Sequence, residues 1–170
     1  QQLAVGNFFR PLNLSDFNEH LSKNIAKVIS VFSNLNQRNI KVANYLKSLE
    51  ISNIKNSLSS KIIKNFILKI KNYNEDIMKI SLTHGDFKFE HLFTINNELE
   101  YLVDWENVGV RSIYFDLFNF FVPWFVHRSH SYAEIKKFIL KFIRNYLSQH
   151  FNVIEDKYDL YFSIFVLERY

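Results

Sequence analysis

The 170-residue chain has no cysteine, so no disulfide framework, thiolate metal site or cysteine nucleophile can be built from it. That suits a cytoplasmic protein, since disulfides belong to oxidising compartments. Glycine (3) and proline (2) are scarce. A sandwich or barrel needs more turn residues than this, so long helices joined by short polar loops are expected. No apolar run reaches the ~18 residues of a membrane span, and no secretory signal pattern opens the chain. The nearest approach, Ile113 to Val126, is interrupted by Asp116, Asn119 and Pro123 and reads as a buried or interfacial helix.

What is present is ordinary in bulk: 48% hydrophobic and 22% charged residues, enough for one domain with a true core. The 18 phenylalanines are the unusual part. A net charge of +4 is spread over Lys23 to Lys79 and Lys136 to Arg144. Its ordinary reading is a solvated helix face; the alternative is attraction to an anionic partner. No nucleic-acid-binding motif is present, so no nucleic acid partner is expected. The chain starts without Met and ends on Leu167-Glu168-Arg169-Tyr170 with no helix stop signal. Both ends read as cuts within a longer protein.

Apolar residues at steps of three and four predict helices. One follows Pro11 and a Ser15 cap through Phe17, Leu21, Ile25, Val28, Ile29, Phe32 and Leu35. A second runs through Ile40, Ala43, Leu46 and Leu49, with Asn and Ser punctuation near 52–57, and a third runs from Leu58 to Ile70. The character changes at Met78, where Met78 to Leu82 alternates with period two. Leu92 to Ile95 and Leu99 to Val103 flank Asn96-Asn97 and read as a hairpin. Helix is expected again after Gly109, over Ile113 to Phe125, Tyr132 to Leu147 and Ile154 to Tyr170. The expectation is an α+β domain, mainly helical, with its polar cluster on a small β-hairpin.

That cluster is Thr83-His84-Gly85-Asp86-Phe87-Lys88-Phe89-Glu90-His91, followed by Val103-Asp104-Trp105-Glu106. A hairpin sets the group before its first strand beside the group after its second. Asp86 and His91 stand at its start, and Asp104 at its end. Phosphoryl transfer needs little more: a carboxylate for the acceptor hydroxyl, ligands for a divalent metal, and positioning. Taken alone, Asp86 would be a turn residue.

The series His84-Gly85-Asp86, four residues, His91, hairpin, Asp104-Trp105-Glu106, Gly109, Asp116-Leu117 resembles the aminoglycoside phosphotransferase and choline kinase superfamily. These are small-molecule kinases with a protein-kinase-like fold. The resemblance covers the C-terminal lobe, most specifically residues 78–120. It implies an ATP-dependent transfer to a hydroxyl of a small molecule: a sugar or saccharide precursor, an amino alcohol or an aminoglycoside. A catalytically inactive kinase-like binding or scaffold domain is the alternative.

Under the resemblance Asp86 is the catalytic aspartate, and Asp104 bridges Mg²⁺ to the ATP phosphates. His84, Gly85, Gly109 and Asp116 support the loop, the two glycines by permitting tight turns. His91 stands where the family usually has asparagine. Imidazole suits Mn²⁺ and other transition metals better than Mg²⁺, so His91 is read as a ligand, a ligand through water, or no ligand. Glu106 fits a surface charge, a support or a substrate contact. Trp124, His127 and Arg128 are candidate acceptor contacts, with aromatic packing at a helix end as the plainer reading. No glycine-rich loop or strand lysine precedes the first helix. Residues 1–12 therefore read as a joint to an N-terminal lobe, and 13–170 as the C-terminal lobe, with the catalytic hairpin at about 80–106.

Overall fold

The computed structural model describes residues 7–8, 17–49, 58–95, 98–150 and 155–169. Outside them lie most of the 1–12 joint with Gly6, Pro11 and Ser15, the punctuation at 52–57, and the Asn96-Asn97 link.

Strand β1 (Asn7–Phe8) is followed by helix α1 (Glu19–Asn34). The helix starts four residues beyond Ser15: the Asn18 side chain caps it, accepting from the Leu21 N–H at 2.9 Å. Its inner face buries Leu21, Ile25, Ile29 and Phe32, whereas Leu35 already lies past the helix end and is exposed.

The pattern from Ile40 to Leu49 divides. Arg38–Lys41 forms strand β2, and only Val42–Ser48 is helical (α2). The polar tetrapeptide Arg-Asn-Ile-Lys has too little alternation to announce a strand; pairing with a neighbour decides it. That neighbour follows helix α3 (Leu58–Ile70) and is strand β3 (Ile77–Thr83), antiparallel to β2 with Ile40 opposite Met78.

After the polar loop come β4 (Leu92–Ile95) and β5 (Glu98–Leu102), an antiparallel hairpin with an irregularity between Phe93 and Thr94. The helix expected directly after Gly109 is delayed by a further strand, β6 (Gly109–Ser112), which pairs with the far edge of β3. The strands thus form two three-stranded antiparallel sheets, β1-β4-β5 and β2-β3-β6.

Helix α4 (Phe115–His127) runs through the centre, burying Phe115, Leu117, Phe118, Phe120, Phe121 and Phe125. Here the phenylalanine content acquires a role. Phe118 meets Tyr158, Phe162 and Phe165 of α6 (Tyr158–Glu168), and Phe121 meets Phe138 and Phe142 of α5 (Tyr132–Phe142). Most of these are edge or tilted contacts with centroids 4.8–5.6 Å apart, the geometry aromatic pairs prefer. Ser131 and Glu134 form a capping box at the start of α5, and its end widens into a π-helical turn over Ile143–Leu147. Among the described residues no helix is long and apolar enough to cross a membrane.

Candidate active site

The loop between β3 and β4 is held by α4. Asp116 accepts from the backbone N–H groups of His84 at 2.7 Å and Gly85 at 3.0 Å, one on each carboxylate oxygen. One turn on, the Asn119 amide donates to the Phe87 carbonyl at 3.1 Å. These are two of the residues that interrupt the apolar run, and they bind the backbone of the tight loop. Burial pushes the Asp116 carboxyl up to about 6, against the pull of the two N–H groups and of Arg111. Gly85 has φ +83°, and a Cβ there would lie 2.0 Å from the Asn107 carbonyl oxygen, so both conformation and space require glycine. Gly109 has no such φ; it opens β6 opposite Thr83, and its carbonyl accepts from the Thr83 hydroxyl at 2.9 Å. Its role is thus a strand position, not a tight turn.

Two histidines hold the loop from the hairpin side. His84 Nε2 lies 3.0 Å from the Val103 carbonyl, and its Nδ1 accepts from the Asp86 N–H at 3.4 Å. A carbonyl only accepts, so Nε2 carries the proton. Burial pulls the His84 imidazole below its ordinary range. A neutral ring therefore ties Asp86 to the residue before Asp104.

His91 is anchored through the other ring nitrogen. Its Nδ1 lies 2.8 Å from the Asp86 carbonyl and must donate there. The Nε2 lone pair of the neutral ring then faces Asp104 Oδ2 at 3.0 Å. Two lone pairs at that distance repel unless a cation joins them, either a proton on the ring or a metal ion. Two ligands at right angles about 2.1 Å from one metal would themselves be about 3.0 Å apart. A ring nitrogen fixed by N–H donation to a carbonyl is the usual arrangement of a metal-binding histidine. Atoms of Asp86, His91 and Asp104 all lie within 4.8 Å of one another, an N,O,O donor set that fits a divalent cation. Asp104 has φ +65°, a left-handed conformation that aspartate tolerates better than most residues.

Lys88 was not among the sequence candidates. Its Nζ lies 2.7 Å from Asp86 Oδ2. Its signal was its place two residues after Asp86, which composition alone did not distinguish from the many other lysines. Arg111 was also missed: it donates to the Thr83 hydroxyl at 2.9 Å and the Asn107 carbonyl at 3.0 Å, fastening β6 to the turn after Asp104.

A cleft of about 500 Å³ opens beside Asp86. Asp86 and Lys88 line it, with Trp124, His127 and Arg128 from α4 and Arg169 from the end of α6. Three of the four candidate acceptor contacts therefore stand on the same cleft as Asp86. Glu106 is outside its lining, exposed in the turn after Asp104. Trp124 is only 7% exposed, and Arg128 covers its ring at 4.1 Å.

No family model matches the chain, and no curated protein matches it in sequence. Its structure is similar to that of amicoumacin kinase hAmiN, solved in complex with AMP-PNP, Ca²⁺ and Ami, with a TM-score of 0.57 and 12% identity. The match covers 97% of this chain and 52% of the kinase, so the chain spans about half of that protein's length. The fold is thus mainly helical α+β, that of a kinase-like C-terminal lobe.

Proposed function

We propose that the chain is the C-terminal lobe of a small-molecule kinase that transfers the γ-phosphate of ATP to a hydroxyl. The observation that carries this reading is the Asp86, His91 and Asp104 cluster, of which Asp86 also lines a cleft of about 500 Å³, on a kinase-like fold. In the transfer, the bond from the γ-phosphorus to the ADP oxygen breaks and a bond to the acceptor oxygen forms. ADP leaves, and Asp86 takes the hydroxyl proton. The Lys88 ammonium, in contact with Asp86, would offset negative charge on the transferring phosphoryl oxygens. Asp104 and His91 would hold a divalent ion, Mg²⁺ or, with the imidazole ligand, Mn²⁺, whose charge neutralises the ATP phosphates. His84 and Asp116 act as positioning residues: both bind the backbone that carries Asp86.

The other half of the neighbour's length has no counterpart in these 170 residues. We assign the remaining nucleotide contacts to an N-terminal lobe joined through residues 1–12, and the reaction to the cytoplasm, where ATP is supplied. The acceptor is a small hydroxyl compound, with a sugar or saccharide precursor ahead of an amino alcohol or aminoglycoside. An inactive kinase-like binding domain is the second reading, favoured by the Lys88 contact on the Asp86 oxygen that would take the proton.

Asp86→Asn and Asp104→Ala in the full-length protein separate the two. Loss of phosphoryl transfer on the order of 10²-fold or more with unchanged melting supports the kinase. Transfer unaffected by both substitutions sinks it.

A further inference from the structure

Arg111 stands where the strands behind the two functional loops meet. Strand β3 ends at Thr83 and leads into the Asp86 loop; the turn after Asp104 leads into β6 at Gly109, which lies opposite Thr83. Side chains alternate along a strand, so Arg111 lies on the same face of β6 as Gly109. From there Thr83 is a diagonal neighbour, within reach of a long side chain. Arg111 Nη1 donates to the Thr83 hydroxyl at 2.9 Å and to the Asn107 carbonyl at 3.0 Å. The Thr83 hydroxyl in turn donates to the Gly109 carbonyl at 2.9 Å. One nitrogen thus binds the chain just before the Asp86 loop and the chain just after Asp104.

Two glycines make room for this guanidinium. A Cβ at Gly85 would lie 2.7 Å from Arg111 Nη1, and one at Gly109 would lie 3.1 Å from the same atom. Gly109 has no positive φ, so its backbone does not call for glycine; the guanidinium against it does. The Arg111 Cζ lies 4.8 Å from the centre of the Phe115 ring, which holds it from the α4 side. Its charge also draws down the buried Asp116 carboxyl, the group that binds the His84 and Gly85 N–H groups. The two loops are joined elsewhere by His84 to Val103 and by His91 to Asp104. Those contacts lie at the active-site end. Joined only there, the loops could still hinge; Arg111 joins them at their base.

Resting on the kinase reading above, we infer that Arg111 is a positioning residue for phosphoryl transfer. It locks the Asp86 loop to the turn after Asp104, and so sets the placement of the catalytic carboxylate against the metal ligands. Gly109 serves the same role by leaving the guanidinium its place.

The test uses the full-length protein with ATP, Mg²⁺ or Mn²⁺, and the best acceptor among glucose, ethanolamine and kanamycin. Gly109→Ala keeps the charge and pushes the guanidinium aside by a few tenths of an ångström. It should lower kcat by about threefold or more and leave the acceptor KM unchanged. Arg111→Met should lower kcat on the order of 10²-fold, and Arg111→Lys, whose side chain is one bond shorter, by less. In the Gly109→Ala/Arg111→Met double variant the alanine should cost nothing further, since the group it displaces is gone. Should Arg111→Met not fold, Arg111→Lys takes its place in the cycle. Ile139→Val, in the core on α5, controls for lost stability alone and should keep kcat. Unchanged kcat in the Gly109 and Arg111 variants, or an alanine effect that persists in full beside Arg111→Met, overturns the inference and leaves the kinase reading standing. If the unsubstituted protein turns over no acceptor, the kinase reading fails, and the ring signals of His84 and His91 in NMR spectra decide the positioning. Gly109→Ala should shift them, and the shift should vanish in the Arg111→Met background. Ring signals unmoved by Gly109→Ala overturn the positioning as well.

Discussion

His84 and His91 sit within one loop and fasten to backbone carbonyls through opposite ring nitrogens. The carbonyls are Val103 for His84 Nε2 and Asp86 for His91 Nδ1. The same residue type thereby does two jobs. The His84 ring is a neutral strut, and His91 turns its Nε2 toward Asp104 Oδ2. Asp116 works at the same scale, with each oxygen on one backbone N–H. Asp116→Asn would set an NH₂ group against one of those N–H donors. The expected result is a loss of about 1–3 kcal/mol, read by urea unfolding. A loop displaced by about 1 Å would also lower kcat/KM on the order of 10²-fold. Full activity in the asparagine variant would remove Asp116 from the positioning role. His84, Asp86 and Asp104 could be named from sequence because a short contiguous motif and one hairpin bring them together. Lys88 and Asn119 could not be told from other lysines and asparagines until their partners were known.

At the scale of elements, the informative errors concern β2 and β6. Neither tetrapeptide alternates, and both exist because β3 offers an edge on each side. A strand made by its partner leaves little trace in its own residues. One further link joins α6 to this sheet. Partly buried Glu168 accepts from the Ser112 N–H at 2.6 Å and the Ser112 hydroxyl at 2.9 Å, and a short hydrogen bond reaches it from Tyr45. Burial pushes its carboxyl up to about 7 from 4.5, against those donors and the Arg111 charge. A raised folded value means the native state holds the proton more tightly than the unfolded chain. This contribution is full below pH 4.5 and is lost as pH rises through about 7. Its ceiling is about 3 kcal/mol. Asp116 titrates with the same sign, so the comparison with Glu168→Gln isolates the effect. Wild-type stability relative to the glutamine variant should fall between pH 5 and 8 in denaturant melts. A difference independent of pH would refute the assignment.

On the scale of the whole molecule, the helices form a platform and α4 is its axis, packed by phenylalanines on most sides and bearing Asp116 and Asn119 toward the loop. The match to 52% of a kinase leads to a prediction about the 170-residue chain alone. Calorimetry should show no saturable micromolar heat with ATP, because the proposed N-terminal lobe supplies the rest of the nucleotide grip. Tight binding by this chain would contradict the division into lobes. The sequence by itself determined the helical majority, the hairpin and the identity of the polar cluster, since periodicity and short spacings are local properties. Only the tertiary structure decided the rest. It brought Arg169 to the cleft with Asp86, set the His84 ring on the Val103 carbonyl and joined Glu168 to Ser112. Those outcomes depend on which groups meet across long stretches of chain. Side-chain packing and hydrogen-bond satisfaction settle that, and no local pattern encodes it.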